Sequence, residues 1–196
     1  MKKTAEREIP LPSKEQVMAE REKLKHRKEY RRALRGTVYV LIVVAALTVL
    51  VVTLFLPVLQ ISGDSMEPTL HDGDVIVLMK SSRYDRGDLC GFAYENKYLI
   101  KRIIGVPGDY IDMDEDGTVS VNGEVLDEPY LIEKALGECD VEFPLQVQDN
   151  HYFILGDHRS NSIDSRNSAI GCVSKEQIVG RIIFRVWPLH KISAIE

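Results

Sequence analysis

From Gly36 to Gly63 the chain carries no charged residue, and the segment from Thr37 to Leu59 reads TVYVLIVVAALTVLVVTLFLPVL. Wound as an α-helix, these 23 residues would rise about 34 Å, enough to cross a hydrocarbon core of roughly 30 Å. A core helix is usually shorter, and the apolar part of a cleaved secretory signal runs to only about 7–15 residues. Here a basic leader of 35 residues comes first, and no small-x-small site follows the run. The run therefore predicts an uncleaved transmembrane helix over residues 36–59. It divides the chain into a segment 1–35 on one side of a membrane and a domain 60–196 on the other.

Charge sets the direction. Residues 1–35 hold 12 Lys and Arg against 6 Asp and Glu; the remainder holds 13 against 24. By the positive-inside rule the N-terminus is cytoplasmic and residues 60–196 are extracytoplasmic, in a single-pass protein of the cell membrane. Within the leader, Pro12, a possible capping box at Ser13 and Gln16, and the pairs Glu20/Lys23 and Glu22/Lys25 predict a solvated helix whose cations are drawn to an anionic bilayer. The acidic surplus of the outer part argues against nucleic acid as a partner.

The outer part is a succession of short β-rich runs between turn residues: Val75–Met79, Leu89–Tyr94, Lys97–Ile104, Thr118–Val121, Glu124–Leu126, His151–Leu155 and Ile178–Trp187. Asn122-Gly123 is a strong hairpin signal, since a type I′ turn needs positive φ at both positions. Residues 160–177 read as loop, with a short helix near Lys175. The expected fold class is mainly β: one antiparallel sheet domain, coiled or barrel-like, after one transmembrane helix. The three cysteines, Cys90, Cys139 and Cys172, are an odd number, which leaves at least one unpaired; Cys90 and Cys172 sit beside apolar positions and read as buried thiols. No Cys-x-x-Cys or His-x-x-x-His spacing occurs, so neither a metal nor another cofactor is expected.

Three segments stand out. Ser62-Gly63-Asp64-Ser65-Met66-Glu67-Pro68-Thr69-Leu70 lies just past the span; a serine in such a loop is ordinarily a turn residue. In Tyr98-Leu99-Ile100-Lys101-Arg102-Ile103-Ile104, strand alternation puts Lys101 between Leu99 and Ile103 on one face and Arg102 on the other. An ammonium between apolar neighbours is either a snorkelling edge residue or a desolvated base. In the second case, moving its pKa from about 10.4 to near 8 costs about 3 kcal/mol, and the neutral amine can take a proton from a serine. The third segment, Gly156-Asp157-His158-Arg159-Ser160-Asn161-Ser162-Ile163-Asp164-Ser165-Arg166, taken alone, reads equally well as an exposed loop.

In this order, S-M-x-P-T-L, K-R-x-x-G-x-P-G-D and G-D-x-R-x-x-S-x-D-S-R behind a membrane span resemble the bacterial type I signal peptidases, membrane-anchored serine endopeptidases that remove signal peptides from exported pre-proteins. The resemblance runs from the anchor to the C-terminus. It implies Ser65 as nucleophile and Lys101 as general base, with Ser162 orienting the amine. It further implies that Asp164 with Arg166, and Asp157 with Arg102, brace the site. Met66, Leu70, Leu99 and Ile100 would line pockets for small side chains, and signal peptides would be the partners. Lys101 stands where the relatives of the endoplasmic reticulum carry histidine, and the single span and short connections resemble the compact enzymes of Gram-positive bacteria. Gly63 occupies a position where some members supply an oxyanion-binding serine, so no side-chain donor is assigned and Ser62 has no role. His158 replaces the more usual asparagine. A specialised processing peptidase of the same architecture, or a silent anchored binding module, is the alternative.

Overall fold

A computed structural model of the protein describes residues 13–195; Pro12 and the rest of the first twelve residues of the leader lie outside the described residues. One long helix, α1 (Lys14–Phe55), opens the chain. Ser13 and Gln16 cap it reciprocally: Ser13 N–H donates to Gln16 Oε1 (3.0 Å) and Gln16 N–H to Ser13 Oγ (3.3 Å). Glu20 and Lys23 approach to 3.9 Å. Toward the apolar half, Thr37 and Thr48 turn their hydroxyls back onto the carbonyls of Ala33 and Val44, which leaves neither hydroxyl without an acceptor. The large apolar side chains from Val38 to Val52 are exposed, as expected of a helix whose surroundings are lipid.

The helix stops earlier than the apolar run. Pro57 cannot donate into a helix and restricts Leu56 before it, so Phe55 is the last helical residue and Val58–Gln60 form a strand, β1. The expected span of 36–59 thus ends in sheet.

The remaining strands are β2 (Val75–Met79), β3 (Leu89–Tyr94), β4 (Lys97–Gly105), β5 (Tyr110–Met113), β6 (Val119–Val121), β7 (Glu124–Val125), β8 (Leu145–Gln146), β9 (His151–Leu155), β10 (Val173–Ser174), β11 (Ile178–Trp187) and β12 (Ser193–Ala194). Every pairing is antiparallel. One sheet runs β1-β2-β11-β3-β4-β9-β10 with β12 beside β11; a smaller one runs β7-β6-β5-β8. Asn122 and Gly123 have φ of 55° and 84°, as a type I′ hairpin requires. In place of a helix near Lys175, residues 159–161 form a single 3-10 turn and β10 pairs with β9.

The described residues form two compact units, 13–51 and 52–195. The second unit has three apolar clusters: one around Cys90, Phe92, Ile103 and Ile154, one under the small sheet around Ile111, Val119 and Phe153, and one around Ile61, Met66, Leu70, Ile76 and Leu78. The cysteines are free. Cys90 is buried as expected and its thiol pKa is pushed up to about 12 by desolvation. Cys172 is only partly buried, because it follows the turn at Gly171 at the margin of the second cluster.

Candidate active site

Ser65 sits in the turn between β1 and β2, where Glu67 N–H donates to Asp64 O (2.9 Å) and Leu70 N–H to Met66 O (2.9 Å). Gly63 enters this turn at φ 97°, a region that disfavours any side chain, with its N–H held by Asp72 Oδ1 (2.9 Å). Lys101 comes from the middle of β4, paired with Cys90 of β3. Alternation places it on the face of Leu99 and Ile103, in the cluster containing Cys90. It is only 3% exposed.

The two side chains meet: Lys101 Nζ lies 2.7 Å from Ser65 Oγ. Desolvation lowers the lysine pKa to about 8; Asp164 and Asp157 oppose the shift while Arg166 adds to it. At pH 7 about a tenth of the amine is then neutral, roughly 300 times the fraction of an ordinary lysine. A neutral amine beside the hydroxyl is an acceptor for its proton.

The ion pairs hold the third segment. Asp164 takes Arg166 in a fork, Nε to Oδ1 and Nη2 to Oδ2, both at 2.8 Å and with neither side chain exposed. Arg166 Nη1 also donates to the carbonyl of Leu136 (2.6 Å), and Gly156 N–H donates to Asp164 Oδ2 (2.9 Å). Arg102 leaves the opposite face of β4 and forks onto Asp157 (2.9 and 2.7 Å). Its guanidinium lies 3.8 Å from the centroid of the Tyr130 ring. Asp157 in turn accepts the Thr69 hydroxyl at 2.5 Å, which ties the serine turn to the same carboxylate. His158 N–H donates to Ser65 O (3.1 Å), and Asn161 Nδ2 reaches both oxygens of Asp64 (3.0 and 2.9 Å).

Two sequence expectations change. Ser162 Oγ is buried and has no hydrogen-bond partner among the described residues, so it does not orient the lysine amine here. Its hydroxyl is instead packed over Gly156: a Cβ on Gly156 would stand 2.1 Å from Ser162 Oγ and 2.6 Å from Ser65 O. Leu70 is fully buried in the cluster beneath the turn and lines no cleft at Ser65. Met66, Leu99 and Ile100 do line a cleft of about 200 Å³ beside Ser65 and Lys101, together with Leu59, Ile61 and Ser62. Leu59 and Ile61 were hidden from sequence reasoning because they continue the apolar run. A second cleft of about 330 Å³ shares Ser62, Ser65, Leu99 and Lys101 with the first and extends over Tyr94, Lys97 and Ile163.

A further ion pair went unread. Arg159 and Glu128 are buried and hydrogen-bonded through both guanidinium amino groups, Nη1 to Oε2 at 3.1 Å and Nη2 to Oε1, while Arg159 Nε donates to Gly156 O (3.2 Å). Glu128 lies in an irregular stretch 31 residues away with no pattern that marks it for burial.

A buried lysine set against a loop serine is an arrangement suited to hydrolysis, and similarity to known proteins places the chain in a family of hydrolases. The model for "Signal peptidase, peptidase S26" matches residues 34–187. Signal peptidase I of Bacillus amyloliquefaciens is 37% identical over 163 residues, covering 78% of this chain and 87% of the relative. Signal peptidase IB of Staphylococcus aureus (strain Mu50) is 36% identical over 154 residues, covering 68% and 78%. A crystal structure of a signal peptidase I from Enterococcus faecalis matches with 28% identity and a TM-score of 0.42, over 51% of this chain and 97% of that one. The chain belongs to the signal peptidase family, peptidase S26, as a serine peptidase similar to the signal peptidases I of Gram-positive bacteria.

Proposed function

We propose that this protein removes N-terminal signal peptides from exported pre-proteins at the outer surface of the membrane, with Ser65 as nucleophile and Lys101 as general base. The observation that carries the reading is the 2.7 Å approach of Lys101 Nζ to Ser65 Oγ in surroundings that lower the lysine pKa to about 8, so that the amine is half neutral at that pH.

Neutral Lys101 takes the proton from Ser65 Oγ as that oxygen attacks the scissile carbonyl, forming a tetrahedral intermediate. Backbone N–H groups of the turn, that of Ser65 among them, hold the oxyanion, since Gly63 has no side chain to contribute. As the C–N bond breaks, protonated Lys101 delivers its proton to the departing amine, which leaves as the N-terminus of the mature protein. The signal peptide stays esterified to Ser65. Lysine, neutral again, then draws a proton from water for hydrolysis of the ester, and Ser65 is regenerated. The two forks, Asp164 with Arg166 and Asp157 with Arg102, keep the 156–166 segment and the serine turn in register. The apolar cleft along Ile61, Met66, Leu99 and Ile100 receives the small residues of the signal peptide that precede the cut.

α1 anchors the enzyme, with the basic half in the cytoplasm and residues 60–196 outside. The test is cleavage of a pre-protein with an Ala-x-Ala site by the full-length protein in detergent, beside Ser65→Ala and Lys101→Ala, with the product N-terminus sequenced. One cut after the second Ala, lost in both variants, is expected. A cut that persists in Ser65→Ala would remove Ser65 as nucleophile.

A further inference from the structure

Two clefts meet at Ser65 and Lys101, and the reaction proposed above fills only one of them. A peptide attacked at Ser65 must continue past it, and the second cleft is where the space continues. Its chemistry differs from the first. Glu95 and Lys97, both exposed, stand at the turn joining β3 to β4, and Asp64 lines the same space.

Ile163 gives this cleft a fixed apolar contact. Its neighbours Ser162 and Asp164 are buried, Asp164 is locked by Arg166 and the Gly156 N–H, and yet Ile163 itself is 59% exposed. In an extended segment whose alternate residues point inward, it must point outward. The cleft that it lines, together with Ile170, is the one beyond the lysine.

We infer that this second cleft receives the first residues of the mature protein and reads their charge, favouring a basic or neutral side chain over an acidic one just after the cut. The inference rests on the cleavage reaction proposed above. Attack requires neutral Lys101, and the formal charges lining the cleft are then those of Glu95 and Asp64 against Lys97 alone. The surplus is negative. The carboxylate of Asp64 is already partnered by Asn161, so Glu95 is the group free to meet an incoming cation.

The experiment compares three forms of one pre-protein that differ only in the first three residues after the cut: uncharged, one Lys, or one Asp. kcat/KM is measured in detergent for the wild type, Glu95→Lys and Lys97→Glu, at low and high salt. The wild type is expected to prefer the Lys substrate over the Asp substrate by roughly two- to fivefold, the scale of exposed charge pairs. Glu95→Lys should erase or reverse the ratio and Lys97→Glu should widen it, with both effects shrinking at about 1 M salt. One ratio common to all three proteins would overturn the inference. A control pair carries the same Lys or Asp just before the cut instead; if the variants change the ratio only for that pair, the inference also falls, since the cleft would then belong to the signal peptide. Failure of the wild type to cut even the uncharged substrate would instead bring down the cleavage reaction itself, and this inference with it.

Discussion

Burying Lys101 costs stability. Its pKa falls from 10.5 to about 8 on folding, so between those values the unfolded chain binds more protons and stability rises with pH. Below pH 8 the full cost is present, up to about 3 kcal/mol at 1.36 kcal/mol per unit. Lys101→Met, similar in length and uncharged, is therefore expected to melt higher than the wild type at pH 7, with the advantage fading by pH 10.5. Thermal unfolding at the two pH values checks it. The same titration should appear as a rise in kcat/KM toward pH 8 that levels above it. Asp164 works in the other direction: Asp164→Ala would leave Arg166 wholly buried without its carboxylate, a loss of about 3–5 kcal/mol readable by denaturant unfolding. At this scale the sequence was informative where a residue's own strand announced its surroundings, as Leu99 and Ile103 did for Lys101. It was silent where burial is imposed from a distance, as for Glu128 with Arg159, and it misled at Ser162, whose hydroxyl is turned onto a glycine that no pattern singles out.

Among the elements, the link from β9 to the 3-10 turn at residues 159–161 is the tightest place in the site. Gly156 lies against Ser162 Oγ and the Ser65 carbonyl so closely that one methyl has no room. Gly156→Ala should push the serine turn and the 159–166 segment apart. A displacement of about 1 Å can cost 100-fold in rate, whereas overpacking costs only about 1–3 kcal/mol in stability. The expected variant is folded by its circular dichroism and cleaves about 100-fold more slowly; near-normal cleavage would mean that the turn has slack. Strands with clear turns on both sides, such as Val75–Met79 and His151–Leu155, were legible to the residue. β1 was not, because the three uncharged residues Val58, Leu59 and Gln60, coming straight after a long apolar helix, are too short a run to carry an alternation of their own, and only Pro57 hints at the change. β8 and β10 are two-residue pairings created by their neighbours.

For the whole molecule, α1 would measure about 63 Å over its 42 residues, twice what a bilayer core requires. In the proposed topology the apolar half accounts for the crossing and the basic half, from the Ser13/Gln16 cap onward, for a cytoplasmic extension. A reporter enzyme active only outside the cytoplasm should work when fused after Glu196 and fail when fused before Met1; the opposite pattern would reverse the topology and put Ser65 on the wrong side of its substrates. Pro57 and β1 carry a practical message for anyone who wishes to exchange the anchor or dispense with it. The Pro57 carbonyl already accepts from Leu78 N–H, β1 pairs with β2, and Leu59 is a wall of the cleft. The seam between interchangeable parts therefore falls ahead of Pro57, and a chimera joined after Gln60 would inherit a foreign wall in the cleft beside Ser65.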